Sequence, residues 1–353
     1  MNHTSTHAYD KTPFLSIVMP VYNGGQTFVH CLQALFQSHF KDWELIVVDD
    51  GSTDDSAIAA QALGATVLKT NSRSGPGAAR NLGAQVAKGT FLCFVDADCE
   101  VHPNTLGRLA QTLEQHPDVD AVFGSYDDSP KANNFVAQYK NLLHHYVHQT
   151  GHKQASTFWA GCGAVKRSTF LKLGGFDVKR YPRPSIEDID LGYRIKAAGG
   201  KILLAKQVQV KHHKAWTFIN LIKTDVCDRG IPWTRLIQSY QSGLINDLNL
   251  KTSSRISVVF SYLLLALLPA SFYSFNAALL ILPTAIMLLG INLDVYQFFY
   301  QKRGIVFAIK GIFMHWVYFL YSGAAFLIGT LLHCIEEAQQ KPVSNRLFSQ
   351  SIR

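Results

Sequence analysis

Short apolar runs alternate with amphipathic stretches over the first two thirds of the chain. Leu15 to Pro20 is apolar and rich in branched side chains, so it predicts a buried strand. Phe28, Cys31, Leu32, Leu35 and Phe36 then recur at helical spacing. Further strands are predicted at Leu45 to Val48, Ala65 to Leu68 and Thr90 to Val95, with a helix over Gly77 to Val86. Strands separated by helices imply βαβ units, hence an α/β fold with a mainly parallel sheet. Residues 119 to 215 are less regular, with apolar segments at Val119 to Phe123 and Phe158 to Val165 and a strand over Ile202 to Lys211.

Beyond residue 255 the pattern changes. Ile256 to Leu293 contains no Asp, Glu, Lys, Arg or His, and Gly311 to Ile335 carries only His315 and His333 among these types. A membrane-crossing helix needs about 20 apolar residues. Three spans are therefore expected, near 256–274, 276–293 and 312–335, the first two turning around Ser271 to Asn276. The stretch 216–255 mixes Trp216, Phe218, Trp233 and Ile237 with Lys214, Lys223, Arg229 and Arg235 at its edge and within it. That mixture suits a helix lying in the membrane interface, or equally a packed amphipathic helix. The expected layout is a polar tail at 1–12, a catalytic domain at 13–215, the interfacial segment at 216–255, the three helices within 256–335, and a polar tail at 336–353.

The net charge of +8 changes the picture only through its placement. Many cations lie near the apolar segments, among them Lys206, Lys211, Lys251, Arg255, Lys302, Arg303 and Lys310. They suit anionic lipid headgroups, and no nucleic-acid recognition motif accompanies them. Lys302, Arg303 and Lys310 fall on the cytoplasmic side under the positive-inside rule, whereas Arg346 and Arg353 fall outside. The six cysteines show no paired spacing that would predict a zinc site or disulfide framework. Residues 1–12 lack an apolar signal-peptide core, so the catalytic part is expected in the cytoplasm of a multi-pass cell-membrane protein.

Candidate chemistry gathers at the strand ends. Asp96-Ala97-Asp98 follows a predicted strand directly, where two carboxylates can hold Mg²⁺ or Mn²⁺ beside a diphosphate. Asp49-Asp50 ends another strand; Asp50 is read as a ligand for a base edge or ribose hydroxyl, and Ser52 as a helix cap. Gly75-Pro76-Gly77-Ala78-Ala79-Arg80 resembles a dinucleotide loop only superficially, because Arg80 stands where the third glycine belongs. Its glycine-rich helix start still suits an anion. Glu187-Asp188-Ile189-Asp190 offers three carboxylates, one of which can act as a general base. An acidic helix start favoured by the macrodipole explains Glu187 or Asp190 equally well. His212-His213 ends the last predicted strand, and His213 can complete a metal shell or form an ordinary polar rim.

Taken in order, these blocks resemble the family-2 glycosyltransferases, whose fold is GT-A. The matching pieces are Ser16 to Asn23, Val47 to Asp54, Gly77 to Asn81, Phe94 to Asp98, Gly174 to Asp177 and Glu187 to Leu191, spanning about 14 to 213. The resemblance implies inverting transfer of a hexosyl-type sugar from a UDP- or GDP-sugar. It assigns the nucleotide sugar to Pro20, Tyr22, Asn23, Asp50, Arg80 and Asp96, and the metal to Asp98 with Asp96. It makes Asp188 the base and places Trp159, Gly161 and Cys162 on the acceptor side. Processive members carry Gln-x-x-Arg-Trp, where this chain has Arg229-Gly230-Ile231-Pro232-Trp233. A single transfer to a membrane lipid or lipid-linked glycan is the expectation. The alternatives are a polyprenyl-phosphate glycosyltransferase, an inactive sugar-nucleotide-binding membrane protein, and a nucleotide-dependent dehydrogenase.

Overall fold

A computed structural model describes residues 12–240 and 247–340. The chain divides into two compact units, one of residues 1–217 with Asp247–Asn249, the other of residues 218–246 with 250–353. The polar tails fall largely outside the described residues, as do 241–246 of the interfacial segment and both Arg346 and Arg353.

In the first unit the chain runs β1 (Leu15–Val21), α1 (Gly25–Phe36), β2 (Trp43–Asp49), α2 (Ser56–Ala62), β3 (Thr66–Lys69), α3 (Pro76–Val86) and β4 (Phe91–Val95). It continues through β5 (Cys99–Val101), α4 (Thr105–Gln115), β6 (Ala121–Tyr126), α5 (Phe135–Gln149), β7 (Cys162–Lys166), α6 (Arg167–Lys172), α7 (Glu187–Ala197) and β8 (Ile202–His212). One sheet takes the order β3-β2-β1-β4-β7-β6-β8-β5. The β3-β2-β1-β4 half is parallel, as the alternation of strands and helices requires. The sheet is mixed beyond it: β7 runs antiparallel to both β4 and β6, and β5 antiparallel to β8.

Alternation along the central strands feeds two cores. Ile17, Met19, Val47, Cys93 and Val95 pack on one face, and Val18, Ile46, Val48, Leu92 and Phe94 on the other. Each such side chain, fully buried, contributes roughly 1.5–3 kcal/mol if it is the size of Val, Leu, Ile or Phe. Gly83 lets α3 lie against β1, because a Cβ there would stand 2.5 Å from Val18 Cγ1. After β3 at the edge, the chain passes to β4 on the other side of β1. That reversal opens a crevice beyond the carboxyl ends of β1 and β4, the usual ligand position in such sheets.

The second unit is helical. It contains α8 (Phe218–Lys223), a π-helical turn over Thr224–Gly230, α9 (Ile231–Tyr240), α10 (Thr252–Ala270), α11 (Phe275–Ile291) and a helical stretch α12 (Leu293–Gln340). Two of these are long and apolar enough to cross a membrane, over Thr252–Ala270 and Leu293–Gln339, and α11 is a shorter apolar helix. The span expected at 312–335 lies inside α12, whose helical run is broken at Gly304 with φ 81°. Polar contacts link its helices: Tyr321 Oη donates to Asp225 at 2.9 Å, Arg229 holds the other Asp225 oxygen at 3.0 Å, and Arg235 meets Glu336.

Candidate active site

Three chain segments leave the sheet into the crevice. After β1, Tyr22 is exposed and carries the Arg73 guanidinium 4.1 Å above its ring. Asn23 adopts φ 49° and ties this turn to the next one: its amide donates to Ser52 Oγ and its side-chain oxygen accepts from the Thr53 amide. Pro20 is buried within β1. After β2, Asp50 is buried, with both oxygens in use. Thr70 Oγ1 and the Ser74 amide donate to one, and the Gly75 amide to the other, at 2.8–2.9 Å. Asp50 therefore shapes the loop that leads into α3. Gly75 supplies that loop's positive φ of 87°, and its would-be Cβ meets the Pro182 carbonyl at 3.0 Å.

Arg80, one turn into α3, is the electrostatic centre. Its guanidinium donates to Asp96 at 2.6 Å and to Glu187 at 3.1 Å, while its buried Nε has no partner among the described residues. Phe176 lies beneath it, 5.5 Å from ring centroid to guanidinium carbon. Burial raises the Asp96 pKa against the pull of Arg80, and the Asp98 charge raises it further. Asp98 is different. Burial opposes its ionisation too, but the His212 imidazole, 3.6 Å away, and Lys214 outweigh that and bring its pKa to about 2.

The acidic segment at the start of α7 separates into three roles. Glu187 spends one oxygen on Arg80 and the other on the Ser185 amide. Asp190 is buried and paired with Arg194 at 2.7 Å, with Arg180 at 3.8 Å. Among the described residues Asp188 has no cationic partner within ion-pair distance; it accepts from the Ala160 amide at 3.0 Å and from the amide of Ile189 at 2.8 Å. Burial, then the adjacent Glu187 charge, push its pKa up to about 6. Of the three carboxylates it is the one set up to take a proton near neutral pH.

The Ala160 contact ties the expected acceptor-side segment to Asp188. Trp159 stands edge-on to Tyr126 at 4.9 Å and tilted against His144 at 5.1 Å. Tyr126 in turn stacks on His212 at 4.1 Å. Gly161 accommodates the Trp159 ring, which a Cβ there would strike, and its carbonyl accepts from the Asp96 amide. Cys162 is a buried strand residue opposite Val95, its thiol pushed by burial up to about 12.

Asp96 and Asp98 suit a hard divalent cation. Both are partly open to solvent, and ligand atoms of Asp96, Asp98 and Cys99 lie within 4.8 Å of one another. The Cys99 thiol is buried with its pKa well above the ordinary value, so oxygen donors define the site. His213 stands on Glu100 rather than on this pair. Consecutive residues of an extended chain point to opposite sides, so His212 stands beside Asp98 while His213 reaches Glu100 at 2.7 Å. Sequence reading missed His212 as the neighbour of Asp98, Arg73 over Tyr22, and the Ala160 amide. Only the histidine pair left a signal, and spacing could not choose between its members.

Comparison with known proteins bears on the family and the fold. The glycosyl transferase family 2 profile matches residues 16–174. "Glycosyltransferase GlyG" of Streptococcus pneumoniae is 37% identical over 117 residues, covering 32% of this chain and 38% of the relative. The "Amylovoran biosynthesis glycosyltransferase AmsB" of Erwinia amylovora is 26% identical over 236 residues, covering 62% of this chain and 75% of the relative. The chain thus spans little more than a third of the first of these, and three quarters of the second. Among solved structures, the Pyrobaculum calidifontis mannosyltransferase in complex with GDP-Man and Mn²⁺ is similar with a TM-score of 0.51 at 17% identity, over 94% of this chain and 89% of that one. That likeness shows the fold. The chain carries a glycosyl transferase family 2 domain on a GT-A-like scaffold.

Proposed function

We propose that this chain transfers a sugar from a nucleoside-diphosphate sugar to an acceptor hydroxyl on a membrane lipid or lipid-linked glycan, with inversion at the anomeric carbon. The observation that carries the reading is Asp188. It is the carboxylate of its segment left without a cation partner among the described residues, with a pKa of about 6, beside an Arg80–Asp96 pair and an anionic Asp98.

In this reading Tyr22 and Arg73 flank the base or ribose, and Asp50 holds the loop that presents Arg73 and the start of α3. Arg80 orients Asp96 toward the donor while Glu187 holds Arg80 in place. Asp98, with His212 behind it and Asp96 alongside, would hold Mg²⁺ or Mn²⁺. When bound, such an ion neutralises charge on the departing diphosphate. The acceptor oxygen attacks the anomeric carbon, its proton passes to the Asp188 carboxylate, and the bond to the diphosphate oxygen breaks with its electron pair leaving on the nucleotide. Trp159 offers an aromatic face of the kind that packs against a sugar ring. The apolar helices α10 and α12 would anchor the enzyme in the cell membrane with its catalytic unit in the cytoplasm, where nucleotide sugars are made.

The test is transfer itself. Membranes containing the full chain, incubated with labelled UDP- and GDP-sugars, should yield a labelled lipid-extractable product that disappears with Asp188→Asn. Label that stays in water-soluble product at full rate would refute the lipid acceptor.

A further inference from the structure

We propose that His30, Glu100 and His213 form a second divalent-cation site, apart from the Asp96–Asp98 pair, that takes zinc-class ions rather than Mg²⁺ or Mn²⁺. The three side chains come from α1, β5 and the residue after β8. His213 Nε2 lies 2.7 Å and His30 Nε2 3.2 Å from the same Glu100 oxygen, and the two rings stand 5.4 Å apart at 51°. One ligand atom from each falls within 4.8 Å of the other two.

The donor set decides the ion. Two imidazole nitrogens and one carboxylate oxygen suit Zn²⁺, which binds nitrogen and oxygen at about 2.0–2.2 Å in tetrahedral sites. Mg²⁺ prefers water, carboxylate and phosphate oxygens and gains little from imidazole. The nitrogens now sit close to one oxygen, so a small rotation of His30 opens a centre between the three. His30 can make that rotation, because its side chain is 56% exposed while that of His213 is only 5% exposed. The exposed side leaves the remaining coordination position to water.

No spacing motif announces this set, since Glu100 and His213 are 113 positions apart. The fold brings them together through the antiparallel pairing of β5 with β8. The same pairing links the cluster to the neighbouring carboxylates, for the His213 amide donates to the Asp98 carbonyl at 2.9 Å. An ion on His30, Glu100 and His213 would cross-link α1 to the strand edge that carries Asp98.

The test uses the full chain in detergent, stripped with chelator, equilibrated with zinc chloride in excess Mg²⁺, and analysed for zinc per chain. One zinc per chain is expected. His30→Ala and Glu100→Gln should each weaken zinc binding by more than the roughly 10–100-fold that losing an outer-shell partner costs. Asp98→Asn should retain the zinc. Absence of bound zinc in excess Mg²⁺ overturns the proposal. So does zinc that persists in both His30→Ala and Glu100→Gln, or zinc lost in Asp98→Asn, since the ion would then belong to the Asp96–Asp98 pair. Glu100→Gln preserves side-chain shape, and His30 is a solvent-facing helix position, so thermal unfolding close to that of the parent is expected for both.

Discussion

Asp188 illustrates how one carboxylate is singled out from an acidic cluster. Glu187 and Asp190 are neutralised by Arg80 and Arg194, so neither is free to accept a proton. Asp188→Asn should reduce transfer by about 10²–10⁴-fold, the usual contribution of a general base, while donor affinity measured by calorimetry stays within a few-fold. The pH profile follows from the raised pKa of about 6. In the proposed role Asp188 acts as the carboxylate, so the rate should climb roughly tenfold per unit up to about pH 6 and then level. With an ordinary aspartate it would level near pH 4. A kcat/KM profile already flat at pH 5 would remove Asp188 from this role. Asp98 should behave differently, since its pKa of about 2 keeps it ionised throughout that range. Asp98→Asn should cut Mn²⁺- or Mg²⁺-supported turnover at every pH, and full activity of the parent chain in excess EDTA would contradict this prediction.

At the scale of elements, α3 and its contact with β1 position Arg80. Gly83 allows the approach, and Ala there would drive a methyl into Val18 and Val48, at 2.5 and 3.1 Å. Gly83→Ala should cost about 1–3 kcal/mol, read as a lowered melting temperature, and should weaken donor binding by displacing Arg80. Unchanged melting would mean that the helix slides without consequence. The parallel half of the sheet was legible because its strands are short apolar runs between helical patterns, each ending at a polar or acidic turn. The other half was legible only in part, through the strand read over Ile202 to Lys211. Cys162 to Lys166 and Cys99 to Val101 are too short and too mixed to show a period, and their partners lie far along the chain. Residue types at the site were readable from motifs such as Asp96-Ala97-Asp98. Their partners were not, because Arg80 meets Glu187 across 107 positions and no local pattern encodes such a pairing.

On the scale of the molecule, the catalytic unit needs more than its first 217 residues. A boundary at 215 follows from composition, yet Asp247–Asn249 belong to the same unit. Asp247 accepts from the His152 amide, and Leu248 is buried where a Cβ on Gly151 would meet it at 2.8 Å. Leu248→Ala should destabilise this unit by about 2–5 kcal/mol, visible as a lower melting temperature of the nucleotide-stabilised transition. A fragment ending at Thr217 should bind nucleotide sugar but melt earlier than the full chain, and it should transfer nothing to lipid. Equal melting of fragment and full chain would show that Leu248 contributes little.

That returning segment also has a temporal meaning. A chain made from its N-terminus presents β1 to β8 first, and the catalytic unit still lacks Leu248 while residues 218–246 are being synthesised. The final closure of its core therefore waits until the ribosome has passed residue 248, at the threshold of the apolar helix that begins at Thr252. The order of synthesis thus ties completion of the catalytic unit to the moment when the first long apolar helix emerges.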